Sequence, residues 1–105
     1  MTDLNTLASM VEAATGFDPG LDRRIAEAVF GDSPVIAREY TRSLDAAMTL
    51  VPEGCAFEVT TTGYKPGATV CGLIMGDVHE GAYAATPALA LTAAALRSRA
   101  AMGEG

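Results

Sequence analysis

Leu4, Leu7, Val11 and Ala14 recur at helical spacing along the start of the chain, which predicts an amphipathic helix. Thr2 or Asp3 can cap its beginning, and Gly16 stands where a C-terminal glycine belongs. Asp18-Pro19 then opens a second helix, an acid at the cap and proline in the first turn. Leu21, Ile25 and Val29 form its stripe and Gly31 ends it, so the two helices make a short hairpin. Ser33-Pro34 reads as a turn, and residues 35–40 as a loop or a short edge strand. Ser43 caps a third helix of about two turns, with Leu44, Ala47, Met48 and Val51 available for burial and Pro52-Glu53-Gly54 stopping it.

The period then changes from helical to alternating. Cys55 to Thr62 carries Phe57 and Val59 on one face and Glu58, Thr60 and Thr62 on the other, the pattern of a half-buried strand. After Gly63-Tyr64-Lys65-Pro66-Gly67, the stretch Ala68 to Met75 is apolar on both faces, which calls for layers above and below it. A turn about Lys65-Pro66 would set Phe57 against Ile74 and Val59 against Gly72. Cys55 and Cys71 would then lie on opposite faces, too far apart to bridge. Asp77 to Ala84 supplies a third strand in which Val78, Glu80 and Ala82 alternate with His79, Gly81 and Tyr83. Thr86-Pro87 opens the last helix; Leu89, Ala93, Leu96 and Ala100 share a face, but Leu91 and Ala95 lie elsewhere on the cylinder. A helix apolar nearly all round belongs at the centre of a core or at an interface. The architecture expected is α/β (α+β), a three-layer α/β/α sandwich, with about four helices on the two sides of a small, mainly antiparallel sheet of about three strands.

Composition narrows the function classes. The chain has 105 residues, half of them apolar, so residues 1–105 make one domain with one core. Thirteen acids against seven cations give a net charge of −6, and the cations are scattered among acids, which argues against a nucleic-acid-binding surface. Ala82 to Leu96 is shorter than the ~20 residues that span a bilayer, and Met1-Thr2-Asp3-Leu4 has no signal-peptide character. A cytoplasmic protein without membrane contact is expected, its two cysteines reduced and structural.

Catalytic constellations are sparse. His79 is the one histidine, so at most one Cys–His or Ser–His dyad exists, and neither cysteine has an activating context. Asp77 and His79 would share one side of a strand and could both reach a cation, but a third ligand would have to come from afar, such as Cys71 or Glu58. The other reading of Asp77-Val78-His79-Glu80 is a solvated polar turn. Gly63-Tyr64-Lys65-Pro66-Gly67-Ala68-Thr69 lacks the spacing of a phosphate loop. No cofactor is implied. Tyr40, Tyr64 and Tyr83 fall in or beside loops, where tyrosine serves either as a partner anchor or as a core-edge residue with its hydroxyl in water.

Several segments, in order and spacing, resemble one family. They are Leu4-Asn5-Thr6-Leu7 with Val11-Glu12-Ala13-Ala14-Thr15-Gly16, Leu21-Asp22-Arg23-Arg24-Ile25-Ala26, Tyr40-Thr41-Arg42-Ser43-Leu44-Asp45-Ala46-Ala47 ending at Leu50-Val51-Pro52-Glu53-Gly54, and Ala84-Ala85-Thr86-Pro87-Ala88-Leu89-Ala90-Leu91 running into Ala93-Ala94-Ala95-Leu96-Arg97. Together they are similar to the small alpha-beta-alpha (ABA) sandwich domain proteins of phages and prophages of alphaproteobacteria. The resemblance implies an α/β/α sandwich and a phage-related accessory role, with no defined activity or site residues. Relatives often carry a longer insert before the Tyr-Thr segment and a tryptophan after the Pro-Glu-Gly turn. Here the insert is Asp32–Glu39, and Cys55-Ala56-Phe57 follows the turn. The function expected is a non-enzymatic module whose partners are an unknown protein and a second copy of itself in a homodimer; the alternative is a small enzyme or metal-dependent protein built on Asp77, His79 and a cysteine.

Overall fold

The computed structural model describes residues 3–31, 38–61, 63–72 and 79–103, and of His79 the backbone alone. Among these residues lie helix α1 (Leu4–Ala13), helix α2 (Pro19–Phe30), helix α3 (Leu44–Met48), strands β1 (Cys55–Thr60), β2 (Gly67–Gly72) and β3 (His79–Tyr83), and helix α4 (Pro87–Ala101). The strands form one antiparallel sheet in the order β1-β2-β3. Four helices and a three-stranded antiparallel sheet make the α+β fold that the periodicities predict.

Three of the helix starts are set by local chemistry. The Asp18 carboxylate accepts from the Leu21 N–H at 3.0 Å, the Ser43 hydroxyl from Ala46 N–H at 3.2 Å, and the Thr86 hydroxyl from Leu89 N–H at 3.2 Å. Each satisfies a donor that the helix itself leaves unpaired. Gly31 ends α2 at φ 81°, a conformation that a side chain would strain. Gly16 does not end α1. The chain leaves that helix in extended conformation at Ala14 (ψ 149°), because only a short stretch is available to reach the Asp18 cap. α3 is also shorter than expected. The residues after it continue through i→i+3 bonds, Leu50 N–H to Ala47 C=O and Val51 N–H to Met48 C=O. That tighter winding turns Leu50 into the core, whereas Leu44 and Met48 stay exposed.

In the sheet, Phe57 lies opposite Val70, Val59 opposite Ala68 and Cys55 opposite Gly72. The hairpin therefore closes nearer Gly63, at φ 98°, than at Lys65-Pro66. The displacement is an even number of residues, so every side chain keeps its expected face. Cys55 and Cys71 are both free, on opposite faces. Ala68, Val70 and Ala82 are buried together, and across them runs α4.

α4 is the centre of the molecule. Ala88 through Leu96 and Ser98 are all buried, which explains the missing periodicity: one side of the helix meets β2 and β3, and the other meets α1 and α3. Each fully buried leucine on it contributes about 1.5–3 kcal/mol. Polar side chains are satisfied internally. Thr92 donates to the Tyr40 carbonyl at 3.0 Å and Ser98 to the Ala94 carbonyl at 2.9 Å. Arg97 reaches Glu12 on α1, and the Arg99 Nε–H donates to the Leu50 carbonyl at 2.7 Å. Three layers result, in the order sheet, α4, outer helices. A helix on the far side of the sheet, expected from the two-faced β2, is not found among the described residues. The central helix takes the sandwiched place that the apolar strand was expected to hold.

Candidate interaction surface

Residues pointing away from α4 form the far face of the sheet. By register these are Ala56, Glu58 and Thr60 on β1, Gly67, Thr69 and Cys71 on β2, and Gly81 and Tyr83 on β3. They are small or polar, apart from Tyr83, and most are exposed or half-buried. A shallow depression of about 340 Å³ lies over Ala56, Phe57, Glu58, Thr69 and Cys71.

Gly67 and Tyr83 are directly opposite in the register. A Cβ added at Gly67 would come within 2.9 Å of Tyr83 Cε1, closer than carbon atoms tolerate. The ring thus lies over the glycine and covers backbone that would otherwise meet water, while Tyr83 remains 67% exposed. Gly81 is under no such demand, since its nearest neighbour to an added Cβ is 3.5 Å away. Tyr64, in the hairpin loop, is fully exposed. An aromatic ring held against a sheet, with its hydroxyl in water, offers area and a hydrogen bond at little entropic cost.

Tyr40 has a different role. It is 1% exposed, and burial pushes its hydroxyl pKa up. It belongs to the core rather than to any surface. The reason is non-local: the turn carrying it is pinned on both sides. Thr92 of α4 donates to the Tyr40 carbonyl, while the Thr41 N–H donates to buried Asp22 Oδ1 at 2.9 Å. The Thr41 hydroxyl in turn accepts from the Asp18 N–H at 2.9 Å. Burial raises the pKa of Asp22, against the opposing hydrogen bonds from Thr41. Sequence reading missed this cluster, for which the only signal was an acid on the otherwise apolar side of α2.

A second concavity of about 420 Å³ opens between the α1–α2 linker and the start of α4, walled by Phe17, Leu44, Pro87 and Ala88. Arg42 lies 4.3 Å above the Phe17 ring and pairs with Glu39, whose carboxyl that hydrogen bond holds below its usual range. The cation is thus already engaged from both sides.

Asp77 lies outside the described residues, and of His79 only the backbone, opposite Cys71, is described. Among the described residues no three histidine, cysteine or acidic side chains come together to hold a metal ion. No described helix is long and apolar enough to cross a membrane. Compared with family models, curated proteins and solved structures, the chain matches none.

Proposed function

We propose that this chain is a non-enzymatic, protein-binding accessory domain, related to the phage and prophage ABA-sandwich proteins, and that a partner docks on the far face of its sheet. The observation that carries the reading is the contrast between the two sides of β2, one buried under α4 and the other open, with Tyr83 laid across Gly67. A sheet face that carries Tyr83 among mostly small or polar side chains, with Glu58 the one acid described on it and exposed Tyr64 in the adjoining hairpin loop, suits a flat partner surface, because it offers aromatic anchors with few long charged chains. The phage relationship rests on the ordered segments from Leu4 to Arg97 given above. Acidity and scattered cations make nucleic acid an unsuitable partner.

The test is affinity capture from a lysogenic host with the wild-type chain and with a Tyr64→Ala/Tyr83→Ala variant, read by mass spectrometry. A protein retained by the wild type and reduced at least about tenfold by the double variant, a loss of the size two anchors produce, is the expected result. Equal recovery by both chains would place the binding surface elsewhere.

A further inference from the structure

Charge narrows what the far face of the sheet can receive. Strands β1, β2 and β3 hold two acids, Glu58 and Glu80, and no lysine or arginine. Glu80 stands opposite Val70 on the α4 side, and Glu58 stands opposite Thr69 on the far face. Several acids elsewhere are already engaged: Asp18 and Asp22 accept from backbone N–H groups, and Glu12 and Glu39 pair with arginines. Glu58 is exposed, and among the described residues it forms no hydrogen bond or ion pair. It borders the depression of about 340 Å³, together with Ala56, Thr69 and Cys71. The other concavity, beside Phe17, is lined by no acid among the described residues. Gly67 is the diagonal neighbour of Glu58 across the β1–β2 register, and the Tyr83 ring lies over it. Such neighbours are about 7–8 Å apart, within reach of long and aromatic side chains. The two groups best able to hold a cation, an unpaired carboxylate and an aromatic ring, thus adjoin one another.

We infer that this depression receives an arginine side chain from the protein partner. The inference rests on the reading that a partner docks on this face, and it names what the partner presents there. A guanidinium donates two parallel N–H bonds to one carboxylate, here that of Glu58. The Thr69 hydroxyl, directly opposite Glu58, can accept a further N–H from the same fork. The aliphatic stem covers Ala56 and Cys71, which offer it small apolar surface. Lysine suits the place less well, because its ammonium is a strongly hydrated point charge without the planar fork. An exposed ion pair is weak by itself; it strengthens when the surrounding partner surface excludes water. The chain's net charge of −6 also draws a basic surface toward it, an attraction that salt weakens.

The test is a titration of the isotope-labelled full chain, followed by amide chemical shifts. The probe is acetyl-Gly-Arg-Gly-amide, set against the same peptide with lysine or with citrulline in place of arginine. The arginine peptide should bind in the millimolar range and move chiefly the amides of Ala56, Glu58, Thr69 and Cys71. It should bind at least about threefold tighter than the lysine peptide, and citrulline, which keeps the shape without the charge, should move nothing. Glu58→Gln should weaken the arginine peptide about threefold, the size of one exposed ion pair, with the rest of the spectrum unchanged. Glu53→Gln, at an exposed acid outside the depression, should leave binding as it was. Shifts spread evenly over the exposed acids, equal binding of the lysine or citrulline peptide, or an affinity that Glu58→Gln leaves intact would each overturn the assignment. The docking reading is measured separately, by host capture with the tyrosine variant. Capture that needs the tyrosines, beside a peptide that ignores Glu58, overturns the arginine site alone.

Discussion

The two faces of β2 meet different surroundings. On one, Ala68 and Val70 are buried against a helix that is itself enclosed, with Ala88 to Leu96 out of contact with water. On the other, Thr69 and Cys71 are half-buried with no helix over them among the described residues, and the Tyr83 ring lies on Gly67. The lesson is a division of labour. A chain of this size has one core to make, and here α4 is its centre, with α1, α2, the turn at Tyr40, Leu50 and one face of the sheet packed around it. The sheet's second face meets no helix among the described residues. Residues chosen for stability stand on the α4 side, and those free to serve recognition stand on the far side.

Truncation on the two sides should break or confirm that division most sharply. Leu96→Ala, at a position with no exposure, should cost about 2–5 kcal/mol, because the packed neighbours on α1 and the sheet cannot collapse fully into the space. Thr69→Ala on the far face should cost within about 1 kcal/mol. Urea unfolding of both variants measures the difference. If the two losses were equal, the far face would be part of the core after all.

Much of this division was legible before the structure, and the parts that were not share a cause. Asp18-Pro19, Ser43 and Thr86-Pro87 announce helix starts because a cap is decided within four residues. The faces of β1 and β3 follow from alternation alone, and they survived a misplaced turn because the register moved by an even step. Layer order was not legible. A strand apolar on both faces and a helix apolar all round each ask for the central place, and periodicity cannot choose between them. Tyr40 was misjudged for a similar reason, its burial being settled by Thr92, which lies 52 positions away. Exposure of Tyr64 and Tyr83 could be read from their loops and strand ends. The seating of Tyr83 on Gly67 depends on the β2–β3 register, which no local pattern encodes.

That seating provides a smaller and more specific test on the open side. Gly67→Ala places a methyl group 2.9 Å from the Tyr83 ring. Because Tyr83 is largely exposed, the ring can swing away, and the expected cost is about 1 kcal/mol. In a Tyr83→Ala background the same substitution should cost clearly less, since the clash is gone. A double-mutant cycle by thermal or urea denaturation gives the coupling. Additive losses would mean that the ring does not rest on the glycine in solution.

The smallest effect concerns the charged residue that is buried on the helix side. Asp22 is 3% exposed, and its pKa is raised above the ordinary 3.8, first by burial and then by the nearby Asp18 and Glu39 carboxylates, while the Thr41 bonds oppose the rise. A carboxyl that holds its proton more tightly when folded than when unfolded binds extra protons in the native state over the interval between the two values. Its contribution to stability is therefore complete below the unfolded pKa and lost as pH rises through the folded one. Other carboxylates contribute slopes of their own, so the informative quantity is a difference. Asp22→Asn keeps an oxygen for the Thr41 N–H but cannot titrate. Relative to this variant, the wild type should lose stability as pH climbs from about 3.8 into the range above, as read from urea midpoints at successive pH values. Parallel curves would show that Asp22 stays in contact with water, and the helix side would then be less thoroughly closed than its leucines suggest.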